Sequence, residues 1–319
     1  MRVLITGVAG LTGAHLAKHC LENGDEVVGI DNFFRGAKSD IKSLLANKHF
    51  TFHECDFRDY IKNNPKAEYD GIYHLAAVLS TRNFYEDPAL VYEVNCHGTY
   101  EIFKWAISNR IPRFVNASSS EVYGHANELP TKETAQSIYD SVETTTRWSY
   151  AHAKKMTEYI LNDYKNEISV CHLRYANVYG PFEVDDDIVI PYILSRIASN
   201  KQCNLNVRAK EIKRCFLYIS DCIEATRLAM LKMRSGLSYN IGNPEEITIY
   251  SLFFKAVETM GKLGCNYDIE PVFDLVRPGD PERRILDIGR AKEQLGYSPK
   301  VMLDEGLMRT AEWTLKQQQ

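Results

Sequence analysis

Arg2-Val-Leu-Ile-Thr6 runs directly into Gly7-Val-Ala-Gly10-Leu-Thr-Gly13, and this stretch decides the fold. An apolar strand that ends in glycines at steps of three and opens into a helix cradles phosphate. One glycine permits the tight turn, another lets backbone approach a pyrophosphate, and the third lets helix pack on strand. The helix expected over 11–23, from Leu11 onward, aims unpaired N–H groups and a positive dipole end at the anion. Glu26-Val-Val-Gly-Ile30 then reads as a second buried strand ending on Asp31. An acid at that spacing hydrogen-bonds ribose hydroxyls and repels a 2′-phosphate, so the expected cofactor is NAD, with Arg35 softening the preference over NADP.

Outward from this unit, apolar β-branched runs recur at 3–6, 27–30, 50–53, 71–76, 114–117 and 170–174. Helix-like stretches at 11–23, 38–47, 88–109 and 147–164 separate most of them. Alternation of this kind gives an α/β fold, a doubly wound parallel sheet of the Rossmann type. After about residue 176 the rhythm changes. Gly180-Pro181 and the acidic run 185–187 form a loop, and helices are expected near 191–200, 221–234, 248–260 and 304–316. The expected division is a NAD-binding Rossmann domain over 1–176 plus about 212–236, and a smaller interleaved substrate lobe over 177–211 and 237–319. The tail at 317–319 is expected to fray.

With 319 residues, 45% hydrophobic and 25% charged, the composition is that of an ordinary globular protein. The net charge of −4, without a dense Lys/Arg tract, argues against a nucleic-acid surface, so an anionic ligand needs a few placed arginines. No apolar run approaches membrane-spanning length and no signal peptide is read. Eight scattered cysteines without a C-x-x-C pair point to reduced thiols and a cytoplasmic protein. No metal is expected: His15 and His19 share a helix face, but Leu16 stands where H-E-x-x-H needs glutamate.

Tyr150 and Lys154 lie one helical turn apart, on one face. The expectation is that the ammonium lowers the phenol's pKa and holds the nicotinamide ribose, making Tyr150 a base for a sugar hydroxyl. Tyr100 and Lys104 repeat the spacing and read as ordinary helix surface and core. Context separates the two pairs, because Tyr150 follows a strand ending in Ala117-Ser118-Ser119-Ser120-Glu121-Val122-Tyr123-Gly124.

Taken together, the chain resembles the extended short-chain dehydrogenase/reductase family, within it the NAD-dependent nucleotide-sugar epimerases, dehydratases and decarboxylases. The resemblance is carried by the glycine loop, Asp31-Asn32, Cys55-Asp56, His74-Leu-Ala-Ala77, Asn95, the serine cluster, Tyr150–Lys154 and Leu173-Arg-Tyr-Ala-Asn-Val-Tyr-Gly-Pro181. It continues through Arg214-x-Phe216-x-Tyr218-x-x-Asp221, Tyr239-Asn-Ile-Gly-Asn-Pro244 and Arg277-Pro-Gly-Asp280. It implies that Asn32, Asp56, Ala76 and Asn95 serve the cofactor, and that Ser119 partners Tyr150. Ser120 and Glu121 fill two variable catalytic slots, Asn177 touches the substrate, and Arg214 and Arg277 clamp a nucleotide diphosphate. It also implies a homodimer through helices 88–109 and 147–164.

The first step implied is oxidation at the sugar's C4 to a 4-keto intermediate. The preferred reading is a UDP-hexose 4-epimerase, supported by Arg214, Arg277 and Ile190-Pro191-Tyr192-Ile193, although Ile188 and Ala153 depart from that pattern. Glu121 keeps the lyases open: a 4,6- or 5,6-dehydratase, or a UDP-glucuronate decarboxylase, with Glu121 as base or positioning group. Arg283-Arg284 reads as a pair packed on the lobe surface, with service to a substrate carboxylate as its alternative. A non-catalytic NAD-binding regulatory protein is the rival of another class; it has no need to keep Ser119, Tyr150 and Lys154 together.

Overall fold

In the computed structural model, which describes residues 1–79, 81–183 and 188–317, six strands follow the apolar runs of the sequence. These are β1 (Arg2–Thr6), β2 (Glu26–Asp31), β3 (Phe50–Glu54), β4 (Gly71–His74), β5 (Arg113–Ser119) and β6 (Ser169–Tyr175). Two short strands, β7 (Asn177–Tyr179) and β8 (Asn204–Asn206), and the longer β9 (Lys213–Tyr218) precede β10 (Leu237–Ile241). The chain then adds β11 (Glu246–Thr248), β12 (Val272–Leu275) and β13 (Arg283–Arg284). The large sheet runs β10-β6-β5-β4-β1-β2-β3 and is parallel throughout. Its order reverses between β1 and β4, and beyond their carboxyl ends such sheets bind ligands. Val3, Leu4, Ile5, Ile72 and Phe114 are fully buried, because helices cover both faces; hence the unbroken apolar runs.

Helix Leu11–Glu22 starts directly from the glycine loop. The run expected at 88–109 starts on Asp87, whose carboxylate accepts the Leu90 N–H at 3.0 Å, with Pro88 in the first turn. It widens to a π turn at Glu93–Gly98 and continues as Thr99–Ser108. The helix expected over 38–47 shrinks to Lys38–Ile41 followed by turns. Helix Ser149–Asp163 carries the Tyr150–Lys154 face.

In the lobe, β9 pairs with β7 and β13 in parallel and with β11 in antiparallel fashion, while β8 pairs with β12. Two expected boundaries are corrected. β10 completes the large sheet beside β6, although the sequence rhythm assigns 237–319 to the lobe. β9 belongs to the lobe's small sheet, although 212–236 reads as Rossmann; only helix Ile219–Lys232 packs against Leu11–Glu22 and the large sheet. Strand pairing is non-local, and local periodicity does not report it. The acidic run 185–187 and residues 318–319 lie outside the described residues. Among the described residues no helix is long and apolar enough to cross a membrane, no cluster suits a metal ion, and the cysteines are unbridged.

Gly7 adopts φ +72°, and a Cβ on Gly13 would fall 2.0 Å from the Gly7 carbonyl oxygen and 2.7 Å from Val8 Cα. Gly13→Ala is therefore expected to cost about 1–3 kcal/mol in thermal unfolding, the range for overpacking. Gly261→Ala, inside helix Ile249–Lys262 with nothing within 4 Å of the added methyl, should leave stability unchanged or raise it.

Candidate active site

A cavity of about 970 Å³ opens at the carboxyl ends of the central strands, lined by the glycine loop, the end of β5, helix Ser149–Asp163 and the lobe. Every site residue expected from the sequence lines it except Asn95. On the cofactor side, Gly10 caps the helix that begins at Leu11. The Asp31 carboxylate accepts the Ala9 N–H at 2.9 Å on one oxygen and the Phe33 N–H at 2.7 Å on the other. It is thereby fixed beside the loop with lone pairs left for hydroxyls. Burial pushes its pKa up. Asp56 caps helix Phe57–Asn63 and is gripped by the Arg58 fork at 2.9 and 2.8 Å, which holds its carboxyl below the usual range. Asn32 donates to Asp56 at 3.5 Å, and the Ala76 N–H donates to the Thr6 hydroxyl at 3.2 Å. Arg35 is engaged by Leu79 O at 3.1 Å and Glu183 at 2.8 Å.

Asn95 is fully buried away from the cavity. Its side chain accepts the Val78 N–H at 2.7 Å and donates to Val78 O at 2.8 Å, bracing the loop that carries Ala76. The dinucleotide fits this half of the cavity: backbone closes on itself where a Cβ would intrude, a carboxylate stands at the ribose position, and the volume suits a large ligand.

On the reacting side, β5 delivers Ser119, and the tight turn Ser120–Tyr123 follows it. Tyr150 is 4% exposed, its ring stacked on Phe84 at 4.7 Å, and it lines the cavity together with Ser119, whose hydroxyl accepts the Glu121 N–H at 3.2 Å. Ser120 is buried on the cavity wall. Lys154 is fully buried and donates to Ala117 O at 2.7 Å, with its ammonium 5.8 Å from the Tyr150 ring centre.

The expected lowering of the phenol's pKa by Lys154 is corrected. Burial and the neighbouring Glu121 charge push the phenol up, and the nearby Ser119 hydroxyl offsets only part of this. Burial lowers Lys154 itself to about 8. Tyr100 and Lys104 line no part of the cavity; Lys104 sits over the Tyr164 ring at 4.7 Å.

The sugar end is built from charges that sequence reading placed incompletely. Glu121 accepts from Arg147 at 2.6 and 3.3 Å and from Arg284 at 2.6 Å. Burial alone would raise the Glu121 carboxyl; the two guanidinium ions outweigh it and hold the group far below the usual carboxylate range. Asp280 is shared by Arg147 at 3.2 Å and Arg214 at 2.8 Å. Asn177 lines the same region and donates to Cys215 O at 3.1 Å, and Arg277 stands half-buried on the wall. Three buried guanidinium ions thus share two carboxylates, leaving positive charge for an anionic ligand.

The surface reading of Arg283-Arg284 holds for one residue and fails for the other. Successive strand residues point to opposite faces. Arg283 grips Glu246 through Nε and Nη2 at 2.9 and 2.8 Å at the surface, whereas Arg284 is 7% exposed and lines the cavity. The same Nε/Nη2 edge of Arg284 is buried without any acceptor. Arg147 carries no motif in the sequence; its one signal is its place three residues before Tyr150.

Residues 4–310 match the family model described as GDP-mannose 4,6 dehydratase. UDP-glucuronic acid decarboxylase 1 of Arabidopsis thaliana is 32% identical over 97% of this chain and 68% of its own length. UDP-N-acetyl-alpha-D-glucosaminuronate decarboxylase of Bacillus cytotoxicus is 30% identical over 98% of this chain and 97% of its own. Among solved structures, UDP-glucose 4-epimerase of Thermotoga maritima superposes with a TM-score of 0.89 at 29% identity, covering 100% of both chains.

Tyr150→Phe should keep the fold and bound NAD, measured by thermal unfolding and absorbance. Turnover of the nucleotide sugar should fall by about 10²–10⁴-fold, the usual contribution of a positioned acid–base.

Proposed function

We propose, from the premise that the chain belongs to the GDP-mannose 4,6-dehydratase family of NAD-dependent nucleotide-sugar enzymes in the extended short-chain dehydrogenases/reductases, that it decarboxylates a UDP-linked uronic acid. The observation that carries this reading is Arg284, a guanidinium on the cavity wall that holds Glu121 through Nη1 and whose Nε and Nη2, closed to water in this structure, meet no acceptor until the side chain turns toward a ligand. Such a fork matches a carboxylate with two parallel hydrogen bonds, and two buried unpaired N–H groups are costly until they find one. Arg214 and Arg277 then take the diphosphate.

NAD, which the glycine loop and Asp31 would hold, would supply the hydride acceptor and donor for C4 of the sugar. Tyr150 takes the proton of the 4-hydroxyl, and Ser119 holds the oxygen while it becomes a ketone. That ketone is β to the uronic carboxylate, so the C5–C6 electron pair can pass to the C4 oxygen as carbon dioxide leaves. Tyr150 and Ser119 stabilise the developing enolate at that oxygen; C5 then takes a proton from water, and Tyr150 returns its own proton to the oxygen as C4 is reduced again. No carboxylate base is required, which suits Glu121: pinned by two arginines, it has little affinity for a proton. The same fact disfavours a 4,6- or 5,6-dehydratase, whose base must remove the C5 proton. Dedicated residues across the reacting half of the cavity likewise disfavour a merely regulatory NAD-binding protein.

A UDP-hexose 4-epimerase is the second reading, favoured by the full-length likeness to the Thermotoga enzyme. It too needs no base beyond Tyr150, but it leaves the Arg284 edge without a purpose. The domain division proposed is Rossmann for the large sheet with its helices and lobe for the small sheets. A homodimer is proposed through the helices that expose Tyr92, Met156 and Tyr159, and a cytoplasmic location on the unbridged cysteines.

Incubation with UDP-glucuronate and NAD, read by product mass and sugar stereochemistry, tests the reading. Loss of carbon dioxide is expected; unchanged mass with inverted C4 would install the epimerase, and no change in any UDP-sugar would overturn both. Arg284→Gln should lower kcat/KM on UDP-glucuronate by about 10- to 100-fold, the worth of charge-assisted hydrogen bonds.

A further inference from the structure

Helix Ser149–Asp163 carries Tyr150, Lys154 and Glu158 at successive intervals of four, on one face. Glu158 is buried and contacts no part of the cavity. Its carboxylate accepts the Ser118 hydroxyl at 2.5 Å and both edge nitrogens of Arg174, Nε at 2.9 Å and Nη2 at 2.5 Å. Ser118 stands between Ala117, whose carbonyl takes the Lys154 ammonium, and Ser119, which lines the cavity with Tyr150 at the end of β5. Arg174 in turn donates to the Tyr123 hydroxyl and to Glu133 O, both at 2.8 Å, and Tyr123 donates to Asn240 at 2.7 Å. One carboxylate thus ties the helix bearing the phenol to the strand end bearing its serine.

We propose that Glu158 is a third functional member of this helix face, a positioning residue that fixes the end of β5 and supplies the counter-charge to the buried ammonium of Lys154. A buried carboxylate here is costly and Arg174 alone would not require it, since an apolar pair fills such space as well. What an apolar pair lacks is a negative charge one helical turn from Lys154 on the same face, where among the described residues it opposes the lowering by burial. Facing Glu158 are Arg174 and His172 from β6, Lys155 from its own helix, Tyr123 from the turn after β5 and Tyr139 from the segment before the helix. His172 is pushed down to about 4 and His74, beside Lys154 from β4, to about 3 by burial, so both stay neutral. Arg174 and Glu158 hold opposite fixed charges; Lys154 is the group left to titrate near neutrality.

The inference rests on the catalytic assignment of Tyr150 and Lys154 and not on which sugar is used, so its test reads Lys154 directly. In protein labelled with ¹³C at lysine Cε, the Lys154 resonance is identified by its loss in Lys154→Arg and titrated by NMR without substrate. The wild-type midpoint is expected near 8. In Glu158→Gln the midpoint should move to lower pH, to about a tenfold higher proton concentration, the direction set by removing an opposite charge. Glu158→Asp should restore most of it. Where a substrate is in hand, the alkaline limb of kcat should shift with the resonance and activity should recover on lowering the pH. If Gln at 158 leaves Arg174 unpaired and the chain unfolded, Glu158→Gln/Arg174→Met, which removes both charges, should still move the midpoint to lower pH, by less than the single variant because a positive charge leaves with the negative one. An unchanged Lys154 midpoint in a folded variant, or a loss of rate equal at every pH, would overturn the proposal.

Discussion

Glu121 stays ionised inside the protein because guanidinium ions from two sides of the cleft hold it: Arg147 ahead of the catalytic helix, and Arg284 from the lobe's edge strand. A buried carboxylate without such partners would neutralise itself, and the guanidinium ions without it would be stranded. The pair therefore does more than neutralise charge. It ties the large sheet, through β5, to a lobe strand paired with β9, so the sugar end exists only when both parts are folded together. Asp280 repeats the device between Arg147 and Arg214.

From this constraint the chemistry divides. On the proposed reading, Tyr150, Ser119 and Lys154 oxidise an alcohol and hold the resulting ketone, and they are indifferent to the fate of that ketone. The outcome depends on the groups near C5 and C6. A free carboxylate there would favour elimination. A carboxylate locked between two arginines, with a spare guanidinium edge alongside, favours a substrate that brings its own carboxylate and loses it. The phenol itself is pushed up by burial and by Glu121.

The nucleotide-binding half was legible because it is local. The glycine steps, the buried strand and Asp31 lie within one short stretch, and each expresses a rule of backbone geometry that composition cannot hide. The reacting pair was legible for a similar reason, two side chains one turn apart after a serine-rich strand end. What stayed hidden is what only tertiary structure creates. β10 joins β6 from far along the chain, so its membership of the large sheet has no local mark. Arg283 and Arg284 are chemically identical neighbours, separated only by the alternation of a two-residue strand whose existence depends on β9. Asn95 supports the cofactor loop from behind instead of touching the cavity. The direction of the Tyr150 shift reversed because spacing reports that Lys154 shares its face, but not that the phenol is buried or that the Glu121 charge lies beside it.

The claim at the centre is that the Arg284 edge receives a sugar carboxylate. A crystal structure of the Tyr150→Phe protein with NAD and UDP-glucuronate tests it without depending on turnover. The account predicts the two carboxylate oxygens at about 2.7–2.9 Å from Nε and Nη2 of Arg284, the length of a charge-assisted pair. A uronate carboxylate turned to solvent, with that edge still lacking an acceptor, would contradict it.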